Sequence, residues 1–265
     1  MVKQHKIAHI VPVGCLEKTK DNQYHMCLAH LVKQSEEYRK FFRRMSNEGK
    51  FVLMDNGAAE GEQLPIEELI ECYQLVHPTQ IVLPDTLLDE CDTLQKHLDA
   101  LGYLHGYYGE KLPFSAMGVP QGHDFTEWYD CMLRMLALDG ISCLGVSKFL
   151  EMETGDHKVR YKAVKAIEEV DNSMEVHLLG CSDGSRVVRE IFEDFSMVRG
   201  CDSAFVYLAS QAGECIGEKD VDRPVGEIDF LNGADYDSLA SNMDAFNILV
   251  GVGNNGIDRS WEGGK

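Results

Sequence analysis

Three aspartates stand where apolar runs give way to small or turn-forming residues. They are Asp55 in Met54-Asp55-Asn56-Gly57, Asp85 in Leu83-Pro84-Asp85, and Asp202 in Gly200-Cys201-Asp202-Ser203. Carboxylates gathered in one cleft have a clear chemical use. One attacks a glycosidic carbon while another handles the proton of the leaving group. Crowding by like charge also raises the pKa of one partner, which supplies an acid near neutral pH. The same side chains can instead bind a magnesium ion or cap helices. Between them in sequence lie Gln121-Gly122, Gly145-Val146-Ser147-Lys148 and Gly180-Cys181-Ser182. Lys148 adds an amine, suited to a Schiff base or to a phosphate contact.

Groups so far apart along the chain meet only in a fold that collects strand ends. Short apolar runs over 9–13, 51–54, 80–83, 114–119, 141–146, 176–179 and 196–199 end in turn residues and read as buried strands. Helical periodicity falls between them, over 23–44, 66–76, 87–101, 125–138, 161–170 and 185–195. Repeated strand–helix units in a chain of 265 residues predict one domain, a single (β/α)8 TIM-type barrel. An eighth strand is expected over 225–230, a closing helix over 236–250 and a fraying tail over 253–265. No GxGxxG follows an early strand, which argues against a dinucleotide-binding sheet. In barrels of this class the active site collects at the C-terminal strand ends, where the three aspartates fall.

Composition narrows the options further. A hydrophobic fraction of 44% is enough for a real core and excludes wholesale disorder. A net charge of −19 excludes a general coat of positive charge, so any contact with nucleic acid must be local or supplied by a partner. Nine scattered cysteines form no CxxC pair and read as free thiols of a reducing cytoplasm. No apolar run approaches the roughly 20 residues of a membrane span. Lys158 and Arg160, with Lys162 and Lys165, follow the fifth strand and join Lys148 as expected phosphate contacts. Arg39, Lys40, Arg43 and Arg44 adjoin Glu36 and Glu37 and read as a solvated helix face. His9, His30 and His177 read as packed core residues, and strand alternation turns Cys201 away from the side of Asp202.

Six segments, in order, carry a resemblance. They are Met54-Asp55-Asn56-Gly57-Ala58, Ile81-Val82-Leu83-Pro84-Asp85, Met117-Gly118-Val119-Pro120-Gln121-Gly122, Leu144-Gly145-Val146, Val176-His177-Leu178-Leu179-Gly180 and Gly200-Cys201-Asp202-Ser203. Together they resemble the strand ends of the tRNA-guanine transglycosylases, and more closely those of their shorter relatives that insert 7-deazaguanines into the DNA of phages and bacteria. The resemblance implies exchange of guanine for a 7-deazaguanine base of the preQ0 type within a polynucleotide, with no cofactor. It implies that Asp202 is the nucleophile at C1′ and that Asp55 is the general acid/base or holds the base. Asp85 would read the N1–H and exocyclic amine of the base, and Gln121 and the Gly145 backbone its carbonyl edge. Asn56, Gly57, Gly122 and Val146 would complete the base pocket. The target nucleotide would leave its stack to be reached.

The chain also departs from the tRNA enzymes. Their zinc ligand set CxCxxC has no counterpart, because only Cys215 lies beyond residue 201. Where they carry G-[IV]-D-x-F-D, this chain has Val206 at the second Asp position, so the nucleophile is Asp202 or the role falls to Asp55. Their basic loop is missing too. These losses favour DNA over tRNA as the polymer, or a partner subunit or homodimer that supplies nucleic-acid contacts. Two other readings remain: a non-catalytic partner subunit, and a small-molecule barrel enzyme, either a lyase using Lys148 or a metal-assisted hydrolase using the aspartates. Cytoplasmic localisation is expected, in the host if the chain is phage-encoded, without membrane association.

Overall fold

A computed structural model of the chain describes residues 5–181, 185–217, 224 and 226–252. Eight strands form one sheet: β1 (Lys6–His9), β2 (Tyr24–Leu28), β3 (Phe51–Asp55), β4 (Gln80–Val82), β5 (Ser115–Gly118), β6 (Ile141–Ser147), β7 (Glu175–Leu179) and β8 (Val198–Ser203). Every ladder is parallel, and the order is β1-β8-β7-β6-β5-β4-β3-β2. β1 pairs with β8 and lies beside β2 without a ladder, so the sheet curls into a nearly closed (β/α)8 barrel. Parallel strands joined by helical crossovers all point the same way, which puts all eight C-terminal ends at one mouth.

The helices are α1 (Ala29–Gln34), α2 (Glu36–Asn47), α3 (Ile66–Val76), α4 (Glu90–Tyr108), α5 (Phe125–Leu136), α6 (Lys148–Thr154), α7 (Val159–Val170), α8 (Ser185–Asp194), α9 (Phe205–Gln211) and α10 (Leu239–Leu249). Their starts are chemically marked. Asp89 accepts the N–H of Asp92 at the start of α4, and Asp124 accepts those of Thr126 and Glu127 at the start of α5. The outer helices bury one face each: α2 turns Tyr38, Phe41, Phe42 and Met45 inward and leaves Lys40 in solvent, paired with Glu36.

Three expectations fail at the chain's ends. The first strand is Lys6–His9 and shares only His9 with the expected 9–13 run: Pro12 has no N–H to give a ladder, and a 3-10 helix follows over Val13–Thr19. The 23–44 stretch is not one helix: Tyr24–Leu28 is a strand, and α1 and α2 follow it, separated at Ser35, which caps α2 by accepting the N–H of Tyr38. All five residues of β2 are buried, between barrel interior and helix layer. A strand covered on both faces loses the alternation that would reveal it, and its apolar run merges with that of the helix that follows. The eighth strand is β8: of the expected strand over 225–230, Val225 lies outside the described residues and residues 226–230 run irregularly. Phe230 offers its carbonyl to the N–H of Val13, which ties this segment over the barrel mouth. The expected tail over 253–265 lies outside the described residues. The closing helix is observed as α10.

Candidate functional site

The strand ends surround a cavity of about 540 Å³ at the C-terminal mouth. That lies within the range of roughly 300–1,000 Å³ usual for small-molecule sites. Asp55, Asn56, Asp85, Gln121, Lys148 and Asp202 all line it, from five different strand ends. The three aspartates of the sequence therefore converge, and Asp55 feels the charges of both Asp202 and Asp85.

Asp85 is buried and held between two side-chain amides. Its Oδ1 accepts Asn56 Nδ2–H at 2.8 Å, and its Oδ2 accepts Gln121 Nε2–H at 2.6 Å. Both amides are themselves oriented. Asn56 also donates to the Leu83 carbonyl (2.7 Å), and Gln121 Oε1 accepts the N–H of Leu88 (3.1 Å). Leu88 holds a φ of 65°, a left-handed conformation costly for a branched side chain, and the neighbouring Leu87 lines the cavity. Burial pushes the Asp85 carboxyl up, and the two amide hydrogen bonds and Lys96 offset part of that. Each oxygen keeps one further acceptor site, so the pair can take two parallel N–H donors from a ligand.

Asp202 is wired differently. Its Oδ1 accepts both His177 Nε2 (3.1 Å) and the Gly180 N–H (3.0 Å). Its Oδ2 makes no hydrogen bond among the described residues. Asp55 is the third type: its Oδ2 takes the N–H of Gly57 (2.9 Å), and its carboxyl lies well above the ordinary range. Desolvation is the first cause, the Glu60 charge the second, and the other two aspartates add to it. Glu60, also in the cavity wall, is itself raised by desolvation and by Asp202, and lowered by Lys148. One carboxyl biased towards its protonated form beside a carboxylate held by donors is the arrangement that separates an acid from a nucleophile.

Several expected pocket residues serve the frame instead. Gly57 has a φ of 87°, and a Cβ there would sit 2.6 Å from the Glu62 carbonyl oxygen, so its part is to turn the chain and present its N–H to Asp55. Gly122 lies outside the cavity wall, and a Cβ there would sit 2.4 Å from the Trp128 nitrogen, so it seats the loop on the first turn of α5. Gly145 is a packing position within the barrel, where a Cβ would meet Leu179 Cδ1 at 2.7 Å. Val146 is buried and gives its carbonyl to Arg160.

The phosphate contacts divide in the same way. Lys148 lines the cavity. Arg160 is 1% exposed, and its guanidinium donates to the carbonyls of Val146 (3.0 Å), Gly180 (2.9 Å) and Leu179. It fastens the ends of β6 and β7 and cannot also reach a phosphate. Lys158 is exposed and does not line the cavity. Lys162 pairs with Asp156 and Lys165 with Glu169, as Arg44 does with Glu17.

Glu60 and Glu227 in the cavity wall escape the sequence reading, which gives His30, also in the wall, and His177 a packing role alone. His177 is fully buried, as expected, but its ring is bonded to Asp202. Its position in the strand, paired with the stretch before Asp202, was the available signal. His9 is a packed residue bonded to Asn247, and Cys201 is buried with its thiol pushed up by desolvation. Among the described residues no group of three His, Cys, Asp or Glu side chains is arranged to hold a metal ion, and no helix is long and apolar enough to cross a membrane.

Fold and site together define a (β/α)8 barrel with a carboxylate-lined cavity at the C-terminal mouth. Comparison of the chain with protein-family models and with curated proteins returns no match.

Proposed function

We propose that the chain is a pentosyltransferase that exchanges guanine for a 7-deazaguanine base in a nucleic acid, with DNA as the polymer ahead of tRNA. The observation that carries this reading is the contrast among three carboxylates in one cavity: Asp85 with a donor on each oxygen, Asp202 with both of its donors among the described residues on one oxygen, and Asp55 raised towards its acid form.

Each setting suits one role. Asp85 reads the N1–H and exocyclic amine of a guanine-like ring, two parallel donors that match its two remaining acceptor sites. Asp202 attacks C1′ as the C1′–N9 bond breaks, and the bonding pair leaves with the base. Asp55 delivers its proton to the departing base. A 7-deazaguanine then enters, returns its N9 proton to Asp55 and displaces Asp202 from C1′. Bonds and protons balance over the cycle, and the covalent intermediate preserves the glycosidic bond energy between the two bases. The protein acts in the cytoplasm without a cofactor. Lys148 meets the phosphate next to the flipped nucleotide, and a partner protein or second copy supplies the remaining cationic contacts that a chain of net charge −19 lacks.

Incubation with radiolabelled 7-deazaguanine and either DNA or tRNA tests the proposal. Label entering one polymer, with release of guanine, is expected. Label entering neither, with candidate partner proteins added, overturns it.

A further inference from the structure

A chain of buried polar groups runs along the barrel axis and ends on Asp202. At the N-terminal floor, Arg199 of β8 forms an ion pair with Glu175, the first residue of β7 (2.9 Å), and donates to Gln80, the first residue of β4. Its guanidinium lies over the ring of Phe51, the first residue of β3 (4.4 Å to the centroid). Arg199 Nε donates to the hydroxyl oxygen of Tyr24 (3.2 Å), which spans the interior from β2. The Tyr24 hydroxyl lies 2.9 Å from His177 Nδ1, and His177 Nε2 lies 3.1 Å from Asp202 Oδ1.

The directions of the bonds in this chain are set from its two ends. An arginine N–H can only donate, so the Tyr24 oxygen accepts from it. The Tyr24 oxygen has a second lone pair, so the other end decides: an ionised carboxylate at Asp202 can only accept from the ring, which leaves His177 Nδ1 to take the Tyr24 proton. The one proton of the neutral ring is therefore on Nε2 and is given to Asp202. Burial lowers the pKa of His177, in keeping with a neutral ring. Asp202 Oδ1 thus receives two fixed donors, while Oδ2 is left for chemistry.

From this geometry we infer that Arg199, Tyr24 and His177 form a positioning relay that locks one tautomer of His177 and thereby selects Oδ2 of Asp202 as the atom that bonds to C1′. The inference rests on the transglycosylase reading for the identity of C1′, but not for the tautomer or the choice of oxygen. Its role is the one the third member of a catalytic triad plays: it orients a reactive group without touching substrate.

Two measurements test it. The first needs no substrate. Nitrogen-15 shifts of the His177 ring in the intact wild-type chain are expected to show a neutral, Nε2-protonated imidazole from pH 6.5 to about 9. The titratable and charged groups facing that ring are Asp202, Arg199, Tyr24 and Arg160, and their combined field is part of what the measurement reads. A Nδ1-protonated ring, or one that charges within this range, overturns the relay even if base exchange is confirmed. The second measurement is kinetic. His177→Leu is expected to lower kcat for exchange by roughly 10–100-fold with KM for the base changed less than about threefold. His177→Gln, whose Nε2–H reaches the same oxygen, recovers most of that loss, and Tyr24→Phe falls between. Equal kcat in His177→Leu and wild type overturns the relay. If wild type shows no exchange at all, the transglycosylase reading fails while the nitrogen-15 result still decides the relay.

Discussion

Asp85 and Asp202 are both nearly buried carboxylates at the mouth of one barrel, each with two hydrogen-bond donors among the described residues, and those donors are distributed in opposite ways. At Asp85 the donors are divided, Asn56 on one oxygen and Gln121 on the other. The two oxygens remain equivalent, which suits recognition of a ligand edge with paired N–H groups. At Asp202 both donors, His177 and Gly180, fall on Oδ1. The two oxygens become different atoms, one anchored and one without a hydrogen bond among the described residues, which suits formation of a single covalent bond. The number of donors around a buried acid says little about its role. Their distribution over its two oxygens says more.

Breaking the contrast at Asp202 should have the largest effect. Asp202→Asn is expected to lower base exchange by about 10⁴-fold or more and to abolish any covalent adduct, as loss of a nucleophile does. Binding of 7-deazaguanine, read by calorimetry, should stay within about threefold of wild type, because Asp85 is intact.

Asp55→Asn should cost roughly 10²–10⁴ in exchange rate, the usual contribution of a positioned proton donor. Its effect on stability has the opposite sign. The folded-state pKa of Asp55 is raised above its unfolded value, so the folded chain holds this proton more tightly. The penalty is absent below the ordinary carboxylate pKa and grows as pH rises from there through the raised folded-state value. Asparagine carries no such penalty and keeps an acceptor for the Gly57 N–H. The variant should therefore melt at higher temperature than wild type at pH 8, with the gap closing towards pH 4.

At the other end of the cavity, Asp85→Asn should weaken base binding by about 1.5–3 kcal/mol, roughly 10–150-fold, through loss of charge-assisted hydrogen bonds. Its kcat at saturating base should change much less than that of Asp202→Asn. A fall in kcat as deep as that of Asp202→Asn would erase the division between recognition and chemistry. Smallest of all, Lys40→Ala and Lys162→Ala remove exposed ion pairs with Glu36 and Asp156. They should leave thermal stability within about 1 kcal/mol of wild type, read by denaturant melts, and exchange unchanged.

The sequence made the barrel and the three aspartates legible for one reason. β3, β4, β5 and β6 are apolar runs that stop abruptly, and in a parallel barrel every stop faces the same mouth. β2 was hidden because it is buried on both faces and runs straight into helix, and with it went Tyr24, the middle of the relay. The expected strand over 225–230 has no sheet to join: Gly226, Glu227, Ile228 and Phe230 line the cavity and do not extend the sheet. Arg160 looked like a surface cation beside the mouth. Only the fold shows three backbone carbonyls converging on its guanidinium. Which oxygen of a carboxylate each donor meets has no trace in sequence at all, because it depends on side-chain rotamers set by packing from several strands.

The central claim is that Asp202 forms the bond to the sugar. Trapping the protein with its polymer substrate, digesting the polymer with nuclease and mapping the modified peptide by mass spectrometry tests this directly. A sugar-phosphate remnant on the peptide containing Asp202, lost in Asp202→Asn, is the expected result. A remnant on the peptide containing Asp55, or one that persists in Asp202→Asn, contradicts it.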